Sequence, residues 1–132
     1  MDMDNFQPDE RTEKIRIAVS ERLSPSKYIH SITVAQYAWR IAVKTSVDPE
    51  KMYIAGLLHD IAGGLSNEEI LRLCERTERY IPSNELHHAR SLHGVAGACI
   101  AYEEFGIRDL EILMAIAFHA GRAGILSRIT GM

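Results

Sequence analysis

The chain has 132 residues, 46% of them hydrophobic and 25% charged, with a formal net charge of -3 and a pI near 6.1. That length suits one domain with a core of its own, and no apolar run approaches the ~20 residues of a membrane helix, so no membrane association is expected. The acidic balance argues against a broad nucleic-acid-binding face but leaves room for a local basic pocket that takes a small anion.

The opening "MDMDNFQPDE" is polar and acidic, with neither the basic start nor the apolar centre of a secretory signal. Residues 1–8 read as a flexible tail, residues 9–132 as a single helical domain, and the setting as cytoplasmic. Ile15, Ala18, Val19 and Leu23 recur at helical spacing and predict a first short helix. Ser24 followed by Pro25 is an N-cap with proline at the first helical position, opening a second helix of about five turns. Asp48 and Pro49 repeat that signal for a third, which runs through "EKMYIAGLLHD" to a stop near Gly63 and Gly64 and places His59 and Asp60 in its last turn.

Ser66 with Glu69 is a capping box, starting a solvated fourth helix through "EEILRLCERTERY" that Pro82 breaks. A fifth covers Leu92 to Glu104 and ends at Gly106; Asp109 caps a sixth, "LEILMAIAFHA", closed by Gly121. "GILSRITGM" starts another amphipathic helix and then stops, the pattern of a chain truncated at its C-terminus. No segment alternates with the period of a strand, so the fold class is all-α, a compact helical bundle. Cys74 and Cys99 are isolated thiols and receive no role.

Four of the six histidines fall on apolar helix faces. His30 is in phase with Val34, Tyr37, Ala38 and Ile41; His93 with Ala96, Gly97 and Ile100; His119 with Ile112, Ala115 and Ile116. His59 ends a run containing Ala55 and Leu58, with Asp60 beside it. A lone histidine on such a face is ordinarily a core residue satisfied by one hydrogen bond. Four, on four helices and with a carboxylate next to one, are better satisfied by shared metal. Imidazole with carboxylate suits iron, manganese, cobalt, nickel or zinc rather than calcium or magnesium. Such a centre activates water and polarises a phosphoryl oxygen, so metal-assisted hydrolysis is the chemistry expected. His87 and His88 lie in a polar connection and are left out of the site.

A helical His, an adjacent His-Asp pair and further histidines resemble the pattern of the HD-domain phosphohydrolases. The ordered set "HSITVAQYA", "AGLLHDIA", "LHGVAGA", "EEFGI" and "AFHAGRAG" is similar to the bacterial symmetrical diadenosine tetraphosphatases, the YqeK-type HD proteins, from Ser24 to Gly124. The resemblance implies an all-helical fold, a di-iron or similar two-metal centre, and cleavage of diadenosine tetraphosphate into two ADP. By position it implies that His30, His59 and Asp60 hold one metal and that Asp60 bridges to a second completed by His93 and His119. It also implies that Lys27 and Arg122 bind phosphate. Asp60, His93 and His119 then carry the catalysis, with a metal-activated water as nucleophile.

Two departures accompany it. "HAGR" stands where the family has His-Thr-Thr-Gly-Arg, and the last Asp ligand of HD enzymes, on a helix beyond the end of this sequence, has no counterpart after Asp109. An active dinucleoside polyphosphate hydrolase is the first expectation. The alternative is a non-catalytic nucleotide- or metal-binding module; a structural bundle with core histidines ranks last. A core without its final helix would expose an apolar surface able to pair with a second copy, a homodimer.

Overall fold

Four helices begin at the capping residues that the sequence marks, Ser24, Asp48, Ser66 and Asp109. The computed structural model describes residues 9–87, 89 and 91–118, and among these it contains seven helices and no strand, the all-α class expected. The tail 1–8, His119, Gly121, Arg122 and the segment "GILSRITGM" lie outside the described residues.

Helix α1 (Glu10–Arg22) starts with the Asp9 carboxylate accepting from the Thr12 amide and buries Thr12, Ile15 and Val19. Helix α2 (Pro25–Thr45) starts with Ser24 as N-cap and Pro25 in the first turn, and ends at Ser46, which takes a left-handed conformation at φ 62. Helix α3 (Pro49–Leu58) follows at once, with the Asp48 side chain accepting from the amides of Glu50 and Lys51. Every residue of α3 from Met52 to Leu58 is buried, so this short helix is the hub of the fold. It pairs with α2 and also touches α1 and α7. At Gly56 the approach is close: an added Cβ would stand 2.6 Å from Ala35 Cα.

Helix α4 (Asn67–Thr77) carries the expected capping box, with both Ser66 and Glu69 contacts present, and it buries only Ile70 and Thr77. Helix α6 (Leu92–Phe105) is buried continuously from Gly94 to Ala101 and ends on Gly106 at φ 70. Between them sits α5 (Ser83–Leu86), a four-residue turn of helix unforeseen in the sequence because no side chain caps it. The Thr77 hydroxyl bolts α4 to α6 by donating to Val95 O at 2.8 Å, while also lying 2.9 Å from Leu73 O. Helix α7 (Leu110–Ala117), capped by Asp109, is tied to α3 through Lys51, which lies 3.0 Å from Asp109 and 3.5 Å from Glu111.

One boundary differs in a way that matters. Helix α3 stops at Leu58, so His59 is its C-cap and Asp60 lies beyond it, rather than both sitting in the last turn. The chain continues in tight turns: Ile61 N donates to Leu58 O at 3.1 Å and Gly63 N to Asp60 O at 2.9 Å. These i→i+3 bonds wind the segment more tightly than an α-helix, which keeps Ile61 and Ala62 in the core.

Candidate metal and phosphate site

The site is built where α2 and the end of α3 run side by side. Because Ala35 meets Gly56, going one turn back along α2 corresponds to going one turn forward along α3. His30 therefore comes opposite His59, with ring centroids 5.3 Å apart and planes tilted by 60°. Lys27, a further turn back, brings its Nζ to 4.0 Å from Asp60 Oδ2.

His59 is only 2% exposed. Its Nδ1 lies 2.7 Å from the Gly56 carbonyl oxygen, and a carbonyl can only accept, so Nδ1 carries the proton. In the neutral ring the lone pair is then on Nε2. This is how metal-binding imidazoles are held, with one nitrogen on a backbone carbonyl and the other left to ligate.

His30 corrects an expectation. It is exposed rather than part of the apolar stripe, because the face of α2 turned to α3 is Ser31, Val34, Ala35, Ala38 and Ala42. Tyr37, with which His30 was phased, is 51% exposed. His30 thus sits at the rim of the helix pair. Ser31, next to it and fully buried, has a hydroxyl with no hydrogen-bond partner among the described residues.

His93 differs likewise. It is exposed at the start of α6, and the buried run begins only at Gly94. It lines an open groove of about 570 Å³ with Asn67, Ile70, Leu71, Ser91 and Leu92. One turn on, Gly97 lets α6 approach the end of α3: a Cβ there would stand 3.8 Å from Leu58 O and 3.6 Å from Ile61 Cγ2. His93 thus lies one helical turn before the point where α6 approaches the end of α3. His87 is exposed, as its polar surroundings suggest; His119 and Arg122 lie outside the described residues.

Nitrogen and carboxylate donors and a tautomer set by Gly56 O fit a divalent transition metal better than a closed apolar core. Among the described residues, no three His, Cys, Asp or Glu side chains stand close enough together to enclose an ion.

Residues 28–128 match the HD domain family. The chain belongs to the HD-domain family. Among relatives of this HD protein, the symmetrical bis(5'-nucleosyl)-tetraphosphatase of Staphylococcus aureus (strain NCTC 8325 / PS 47) is 33% identical over 109 residues, covering 81% of this chain and 55% of the relative. The Bacillus subtilis (strain 168) protein of the same name is 32% identical over 115 residues, covering 86% of this chain and 61% of the relative. The chain therefore spans little more than half the length of these two relatives. A crystal structure from Clostridium acetobutylicum, described as a predicted HD superfamily hydrolase involved in NAD metabolism, superposes with a TM-score of 0.69 at 35% identity. It covers 82% of this chain and 57% of that one.

The sequence reading overlooked two contributors. The carbonyl of Gly56 anchors His59, and Gly63 borders the Lys27 ammonium. Two small residues flanking the His-Asp pair were the available signal. No helix of the described residues is long and apolar enough to cross a membrane.

Proposed function

We propose that this HD protein is a metal-dependent phosphohydrolase that cleaves diadenosine tetraphosphate symmetrically into two ADP. The observation that carries the reading is the convergence of His30, His59, Asp60 and Lys27 on one end of the α2 and α3 pair. The names of the Staphylococcus and Bacillus relatives give it a substrate class.

In this reading His30, His59 and Asp60 would hold one divalent ion, and Asp60, His93 and His119 would serve a second. Iron is the first choice, then manganese, cobalt, nickel or zinc. Such ions supply Lewis-acid stabilisation of phosphoryl charge and a water acidic enough to attack near neutral pH.

The chain's own residues do the rest. His59 keeps its proton on Nδ1 through Gly56 O and so presents Nε2 in a single orientation. Lys27 offers a point charge to phosphate oxygens, and Arg122 offers a planar fork suited to two of them. Asp60 carries negative charge into a site that otherwise collects imidazoles and cations, which favours divalent metal over none. ADP leaves as a stable anion, so no strong general acid is required of the protein.

The test is to incubate the metal-stripped chain with diadenosine tetraphosphate and ferrous iron, manganese or cobalt, and to separate the nucleotides. ADP as the sole product supports the reading. ATP plus AMP contradicts the symmetrical cut. A folded protein that binds nucleotide or metal without turnover overturns catalysis by this chain.

A further inference from the structure

Gly63 is glycine for reasons of space. Its φ is not in the left-handed region, which among the described glycines is taken by Gly64 and Gly106, so the backbone would accept an alanine. A Cβ at Gly63, however, would stand 2.9 Å from Lys27 Nζ, 3.0 Å from Asp60 O and 3.5 Å from Asp60 Oδ1. The room left by the missing side chain is filled by an ammonium from another helix. From that niche Lys27 stands 4.0 Å from Asp60 Oδ2, with 44% of its side chain still exposed. A lysine in the first turn of a helix would otherwise extend into water, where its stem keeps most of its rotamer freedom.

We propose that Gly63 is a positioning residue, whose missing side chain seats the Lys27 ammonium beside Asp60, in place to meet the phosphate oxygens of a polyphosphate substrate. The proposal rests on the reading of Lys27 as a phosphate contact and adds to it the residue that decides where that contact is made. A glycine that merely eases the turn after α3 would make no such demand on Lys27.

The difference can be read without substrate. Lys27 Nζ is the far end of a flexible side chain, so Gly63→Ala leaves the protein folded and moves the ammonium instead. At a backbone position open to alanine, Gly→Ala otherwise stabilises by restricting the unfolded chain. In thermal unfolding of the metal-free chain, Gly63→Ala is expected to lower Tm by about 3 °C when Lys27 is present. In the Lys27→Met background, where the niche is vacated, the same substitution is expected to leave Tm unchanged or raise it. The contact with Asp60 O is common to both backgrounds and cancels in the comparison. Equal shifts in the two backgrounds overturn the seat.

The functional half is read from steady-state kinetics with diadenosine tetraphosphate and manganese. Lys27→Met is expected to raise KM about tenfold with a smaller change in kcat, as loss of one charge-assisted hydrogen bond does. Gly63→Ala is expected to move KM in the same direction, and to add nothing in the double variant. A Gly63→Ala effect on KM that persists without Lys27, or an unchanged KM beside a coupled melting cycle, overturns the phosphate role of the seat. If the wild-type chain turns over no nucleotide, the hydrolase reading fails by itself, and the melting cycle still decides whether Gly63 seats Lys27.

Discussion

The His30 and His59 rings lie 5.3 Å apart and tilted by 60° across the α2 and α3 pair, one exposed and the other sealed in the core. The two therefore differ in what they cost the fold. His30→Ala should change stability by less than about 0.5 kcal/mol, as an exposed position does. His59→Ala removes a buried ring and its bond to Gly56 O, a loss of about 2 kcal/mol. In thermal melts with and without manganese, the metal is expected to raise the Tm of the wild type and of neither variant. A rise that survives in either variant would remove that histidine from the shell.

Gly56→Ala pits helix propensity against packing. Propensity alone would favour alanine by about 1 kcal/mol. The new Cβ, however, would lie 2.6 Å from Ala35 Cα and 2.9 Å from Ala35 N, backbone atoms that can move only if α2 moves. Overpacking should win, destabilising the protein by about 1–3 kcal/mol in urea unfolding. Because Gly56 O also holds His59, metal affinity should fall in parallel.

Thr77→Val keeps the shape and removes the hydroxyl that joins α4 to α6. Its donor lies 2.8 Å from Val95 O in a fully buried position. The expected loss is about 1 kcal/mol, the net worth of one buried hydrogen bond. Urea unfolding of the variant against the wild type measures it; an unchanged midpoint would show that the bolt contributes nothing.

Glu103 makes the fold sensitive to acid. Hydrogen bonds from Arg76 and then Tyr80 hold its carboxyl at about 2, against an ordinary 4.5. A group whose value is lowered by folding stabilises the native state above its unfolded value, and that contribution fades as pH falls through the folded one. Wild type should thus exceed Glu103→Gln in Tm at neutral pH, with the gap closing between about pH 4.5 and pH 2. A gap independent of pH would mean that the carboxylate's charge is not what stabilises the cluster.

Much of the fold could be read in the chain because its punctuation is chemical. Ser24 with Pro25, Asp48 with Pro49, Ser66 with Glu69, and Asp109 each begin a helix where their capping chemistry says. What could not be read is tertiary. The end of α3 was placed too late because "AGLLHDIA" stays apolar past Leu58, and only packing of Ile61 and Ala62 chooses tight turns over another helical turn. Helical spacing puts His30 in phase with Val34, Tyr37, Ala38 and Ile41; Val34 and Ala38 are buried, but the inner face is centred on Ala35 and Ala38, the residues small enough for α3 to approach, and leaves His30 and Tyr37 outside it. His-Asp adjacency was visible in the sequence. The carbonyl that orients His59 and the ammonium beside Asp60 belong to neighbours in space, which no periodicity reveals.

Lys27 and His30 on α2, and His59, Asp60 and Gly63 at and just beyond the end of α3, lie on one stretch of chain that turns back at Ser46–Asp48. Contacts so near in sequence close small loops, which form quickly and at little entropic cost. During synthesis, this part of the site can assemble as soon as α3 has left the ribosome, before α6 or α7 exists. A pairing that forms this early gives the later helices a finished surface to fold against.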